Sequence, residues 1–205
     1  MAPRRLKIAR EVGVNLFSFN YAVLGLRNAL DIVGFPTHNI EVVPSQHLIW
    51  KNKVTGCLRR AGLVDATMLN DLCLSRRTPE CPDLMYFLVL STEIVYHVGD
   101  EDSFCYGAAF AEQNAMVNVT QLPEKLHPGD LPTYIIQLAM HETGHLLGMT
   151  PPDRVECVES SCGIHCASKG CVMSNYVRFL RNLDIVRPFC ETCLRYARKM
   201  KRVQK

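Results

Sequence analysis

The sequence has no apolar run approaching the roughly 18 residues that cross a bilayer; its best stretch, Val12 to Phe35, is broken by Arg27 and Asp31. No membrane span is expected. Excess charge is also small: 23 Lys and Arg against 20 Asp and Glu leave +3. With 48% apolar residues and 21% charged, the chain has material for a buried core and does not read as disordered. It shows no internal repeat, no low-complexity tract and no long Gly-, Ser- or Pro-rich linker, so a single domain over residues 1–205 is expected. The opening Met1-Ala-Pro-Arg-Arg-Leu-Lys leads into no apolar signal core, which argues against secretion. An Arg-rich transit peptide is the lesser option, since no acid precedes Glu11. Ten cysteines in 205 residues are too few for a small disulfide scaffold. In the cytoplasmic, reducing location this implies, grouped cysteines hold metal or do chemistry.

Six cysteines are grouped: Cys157, Cys162, Cys166, Cys171, Cys190 and Cys193 all fall after residue 141. Cys57, Cys73, Cys81 and Cys105 are scattered and read as small buried hydrophobes. Charge is lopsided too. From Arg187 onward seven Lys and Arg face one acid, Glu191. Such a run reads first as a solvated helix face, and with Tyr196 as its one aromatic it offers no base-stacking pattern, so nucleic-acid binding is not expected.

Periodicity predicts helices over Asn15 to Ile32, closed by Gly34, over His47 to Ala61, and for a turn or two between Asp65 and Leu74. Ile40-Glu-Val-Val, the apolar run Met85 to Leu90, and segments around Cys105–Phe110 and Ala115–Thr120 read as strands. Met116, Asn118 and Thr120 alternate with Val117 and Val119, which predicts an edge strand with one solvated side, able to pair with an extended ligand. From Pro132 the helical period returns, with Tyr134, Leu138, His141, His145 and Gly148 on one arc. Helix, strands, helix and a cysteine-rich tail make an α+β order.

The segment His141-Glu-Thr-Gly-His145 is an HExxH motif. At i and i+4 two imidazoles leave one helix face and can take two positions on a tetrahedral zinc. Glu142 lies beside them without needing to ligate. Zinc would acidify water and polarise a scissile carbonyl, while Glu142 would take the water's proton and pass it to the leaving amine. With seven His and 11 Glu in the chain, a chance match is about a one-in-a-hundred event. Two His do not complete a site. Further on, Cys166-x4-Cys171 and Cys190-x2-Cys193 form a pair of knuckles suited to a structural zinc on four cysteines.

These residues together resemble the archaemetzincin family of zinc metallopeptidases, whose signature is HExxHxxGxxHC, then four residues and Cys-x-Met, then CxxC. His141, Glu142, His145 and Gly148 match the helix. His165, Cys166, Cys171 and Met173 match the third histidine, the two cysteines and the Met-turn methionine, and Cys190 and Cys193 match the closing pair. The resemblance implies a metzincin-like α+β domain with two zinc ions. One would be catalytic, on His141, His145 and His165 with Glu142 as general base and acid; the other would be structural, on the four cysteines. Met173 would lie beneath the catalytic metal without ligating it. A peptide or protein substrate, a monomer and no zymogen are the matching expectations. The chain departs from the signature in one place. The third-histidine position is Pro151, and fourteen residues are inserted before His165. Either residues 149–164 bulge as a loop, or Asp153, Glu156 or Cys157 completes the site. The roles of Cys157 and Cys162 stay open, as does whether the loop blocks the site. The competing function is a two-zinc, non-catalytic scaffold with an occluded active-site metal.

Overall fold

A computed structural model describes residues 5–36, 40–43, 58–60, 63–98, 101–110, 113–120, 126–159, 164–175 and 187–203. Strand β1 (Leu6–Arg10) is followed by helix α1 (Leu16–Ile32), β2 (Ile40–Val42), β3 (Leu58–Arg60) and β4 (Leu63–Asp65). Helix α2 (Ala66–Leu74) precedes strands β5 (Met85–Leu90), β6 (Glu93–Val98), β7 (Glu101–Cys105), β8 (Gly107–Phe110) and β9 (Asn114–Asn118). Helix α3 (Leu131–Leu146), the short strands β10 (Val158–Glu159) and β11 (His165–Cys166), and helix α4 (Glu191–Val203) complete the order. It is a mixed α+β fold. No helix among the described residues is long and apolar enough to cross a membrane.

The main sheet runs β2-β1-β5-β9-β8, parallel except for β8, which pairs antiparallel with β9. Strand β5 is buried along its whole length. Met85, Phe87 and Val89 face one apolar cluster with α1 and α3, whereas Tyr86, Leu88 and Leu90 face another with α2. That two-sided burial is why its sequence is a continuous apolar run with no alternation. On the second face lies a smaller sheet, β3-β4-β6-β7.

Helix ends follow local chemistry. The Asn15 carboxamide accepts the Ser18 amide at 2.8 Å to open α1, and Asp65 accepts that of Met68 at 3.0 Å to open α2. Gly34 and Gly148 take the left-handed conformation, φ 66 and 69, just past α1 and α3. Helices α1 and α3 touch backbone to backbone at Gly25, where a Cβ would stand 2.3 Å from the Ile136 carbonyl oxygen. That close crossing ties the motif-bearing helix to the core.

Two expectations change, and one strand was not foreseen. The Met116–Thr120 segment is not the edge strand: β9 lies between β5 and β8, all five of its residues are buried, and β8 ends the sheet. The polar alternation misled because its asparagines point inward and are paired. Asn114 accepts the Tyr86 amide at 3.0 Å and donates to Asn70 Oδ1 at 2.8 Å, and Asn118 donates to the Thr92 carbonyl at 2.7 Å. The helix expected over His47 to Ala61 gives way at Leu58–Arg60 to strand β3; residues 44–57 and 61–62 lie outside the described residues. Leu6–Arg10, unmarked as a strand in the sequence, sits inside the main sheet with Leu6, Ile8 and Ala9 buried.

Candidate metal centres

Helix α3 presents His141, Glu142 and His145 from its last turns. The inserted segment folds back as β10, which pairs antiparallel with β11 in the register Glu159↔His165 and Val158↔Cys166. That ribbon delivers His165 to the helix. One ligating nitrogen from each of His141, His145 and His165 lies within 4.8 Å of the others. His141 Nε2 and His145 Nε2 are 3.1 Å apart. Four nitrogens around a zinc at about 2.0–2.1 Å stand about 3.3 Å from one another, so the pair has the spacing of a tetrahedral edge. The Nδ1 atom of His141 lies 2.6 Å from the Val172 carbonyl oxygen. Because a carbonyl only accepts, this contact puts the proton on Nδ1 and leaves the Nε2 lone pair for a metal. His145 Nδ1 meets the Thr150 hydroxyl at 2.7 Å.

Burial, then the neighbouring His165, push His141 down to about 4, against the pull of the Val172 carbonyl; burial and the other two imidazoles hold His145 well below its ordinary value. Both rings are thus neutral near pH 7, the form that ligates metal. Burial alone pushes Glu142 up to about 8. Its carboxylate lies against the bare Cα of Gly107 on β8, where a Cβ would come within 2.5 Å of Oε1.

The second group is sulfur. One Sγ from each of Cys166, Cys171, Cys190 and Cys193 lies within 4.8 Å of the rest. The Cys166–Cys190 and Cys171–Cys193 pairs are each 3.6 Å apart. Sulfurs at about 2.3 Å around one metal stand about 3.8 Å from one another, and a disulfide at about 2.05 Å is excluded. Backbone amides of Ser168 and Cys190 donate to Cys166 Sγ at 3.5 Å and Cys171 Sγ at 3.4 Å. Hydrogen bonding with Cys166 lowers the thiols of Cys171 and Cys190 first of all. Either group could hold a metal ion.

Of the other candidates, Glu156 is turned to Arg195 on the exposed face, and Asp153 joins neither group. Cys157 lies 3.8 Å from Cys166 Sγ yet stands apart from the set of four, on a left-handed backbone at φ 53. Cys162 and Cys57 lie outside the described residues. Cys73 is buried in the second apolar cluster, with Cys81 and Cys105 packed against it, as small hydrophobes are.

The fold has a counterpart among solved structures. The archaemetzincin of Methanopyrus kandleri superposes with a TM-score of 0.59 over 97% of this chain and 96% of that one, at 18% identity. The chain has the archaemetzincin fold. At that identity the likeness concerns fold alone. No protein-family model and no curated protein matches the sequence.

Within this archaemetzincin-like fold the signature's Met173 and several residues that no motif marked pack around the two donor groups. Met173 lies against α3 so closely that a Cβ at Gly144 would stand 2.1 Å from its Sδ. Gly144 is the variable fourth position of HExxH, and its lack of a side chain makes room for the methionine. Gly107, Thr150 and Val172 touch Glu142, His145 and His141. The proximity of Val172 to Met173 in sequence was the one available hint. For Gly107 and Thr150 the chain offered none.

Proposed function

We propose that the chain is a zinc-dependent metallopeptidase, a single domain acting on peptides or extended protein segments in a reducing compartment, where its free cysteines stay reduced. His141, His145 and His165 would hold the catalytic zinc, and Cys166, Cys171, Cys190 and Cys193 a structural one. The observation that carries the reading is three imidazole nitrogens converging within 4.8 Å, two of them from the helix that also carries the buried Glu142 carboxyl. Zinc held there would supply a Lewis acid to polarise the scissile carbonyl and acidify water.

Glu142 is the chain's own proton carrier. Desolvation raises its proton affinity, which makes it a stronger base than a solvated carboxylate and able to return the proton to the departing amine. Strand β8 ends the main sheet, so its outer backbone groups can pair with an extended peptide. Because Gly107 of that strand touches Glu142, a peptide lying along the edge passes beside the carboxylate. Met173, packed on Gly144, would lie beneath the catalytic metal without ligating it.

The test is Glu142→Ala in the zinc-loaded chain. Peptide hydrolysis should fall about 10²–10⁴-fold with zinc content unchanged. The burial of Glu142, 5% exposed, favours the rival non-catalytic scaffold. Under that reading neither the parent nor the variant cleaves any peptide while both retain metal.

A further inference from the structure

Arg154 belongs to the inserted segment, and its side chain is buried, 4% exposed. A guanidinium stays charged at any ordinary pH, and burying that charge without a counter-ion is costly. Among the described residues no carboxylate lies within ion-pair distance of it. All five of its N–H donors are nonetheless used. Nε donates to the Glu156 carbonyl at 2.7 Å, Nη1 to the Met149 carbonyl at 2.8 Å, and Nη2 to the Cys157 carbonyl at 3.1 Å. The remaining two go to sulfur: Nη1 to Cys193 Sγ at 3.3 Å and Nη2 to Cys166 Sγ at 3.6 Å. The Tyr196 ring covers it at 5.2 Å.

The carbonyls supply dipoles but no counter-charge. The sulfurs supply it if they are thiolates, and four thiolates around a divalent cation carry two excess negative charges, of which one guanidinium cancels one. We propose that Arg154 is the charge-balancing positioning residue of the four-cysteine metal site, its fork holding Cys166 on β11 to Cys193 on α4. This rests on the reading that those cysteines bind metal. The insertion thereby serves the metal site, because three of its own carbonyls hold the arginine that braces the sulfurs.

The test uses the full chain loaded with cobalt(II), whose sulfur-to-metal absorption reports the cysteine site and not the histidine one. Wild-type protein without that band would overturn the metal reading itself. Given the band, chelator competition on Arg154→Met should show affinity about 10- to 100-fold weaker at the thiolate site, the usual range for partners behind the ligands. Arg154→Lys, which keeps the charge and loses the fork, should recover part of the loss. Wild-type affinity in the Met variant, or equal losses in Met and Lys, would overturn the proposal, because an anchor for the insertion alone does not distinguish charge. Should the Met variant not fold, Arg154→Gln, which removes the charge and keeps donors, takes its place: affinity weaker than in the Lys variant supports the proposal, and affinity equal to the Lys variant or to wild type overturns it.

Discussion

The sheet-and-helix part of the molecule, residues 5–148, and the cysteine-rich part after Gly148 are built on different principles. In the first, β5 and β9 are buried on both faces, and α1 and α3 close over one of them. Apolar burial is enough to hold it. Among its described residues the second part has two strands of two residues each and one helix, α4. Its buried cluster mixes Met149, Val172, Met173 and Phe189 with Cys166, Cys171 and Cys193. On the proposed reading, bonds from those sulfurs to a metal add to this mixed cluster what apolar contact alone supplies in the first part. On the proposed two-metal reading, the motif helix stands on a frame held by apolar burial, while its third histidine hangs from a part held by metal.

Metal removal should break the comparison most sharply. Structural zinc contributes on the order of 10 kcal/mol of coupled folding free energy. Stripping the chain with a strong chelator is expected to abolish amide-exchange protection in β11 and α4 while β5 and β9 keep theirs. Equal loss in both parts would show that the frame also depends on metal. A smaller effect, opposite in location, comes from Phe87→Ala in β5, a fully buried ring. Its loss should cost about 3–5 kcal/mol in denaturant unfolding, with the cobalt–thiolate absorption unchanged in the protein that remains folded.

The junction between the two parts can be probed at Gly144, whose missing Cβ makes room for Met173. Gly144→Ala should destabilise by about 1–3 kcal/mol, and Met173→Ala should relieve part of that, read as a coupling in a double-mutant thermal series. Strictly additive losses would place the methionine elsewhere. The smallest expected effect is at Asn15, the cap of α1. Asn15→Ala should cost about 1 kcal/mol and leave metal content untouched.

How much was legible follows the same division. Helix α3 and its three candidate site residues could be read directly, because period, motif and glycine stop coincide within a few residues. The same holds for α1 and β5, where local pattern and burial agree. Strand β9 was found but placed at the wrong position in the sheet. Sheet order depends on non-local pairing, and a buried asparagine bonded to Asn70 or Thr92 looks like a solvated one in sequence. Strand β1 was missed for a related reason: five residues, two of them basic, carry too weak an alternation. His165 was reached through the spacing of its cysteine neighbours, across a segment that no pattern describes. Arg154 was invisible, since a lone arginine in a loop is ordinarily exposed and only the folded insertion shows it beneath two sulfurs.

The central claim is that two distinct donor sets, one of nitrogen and one of sulfur, each hold a metal in the same chain. Zinc-edge X-ray absorption on the zinc-loaded protein measures it most directly. The account predicts two zinc ions per chain, with a sulfur shell at about 2.3 Å and a nitrogen shell at about 2.0–2.1 Å, the latter lost in His141→Ala. A single zinc with sulfur ligands only would contradict it.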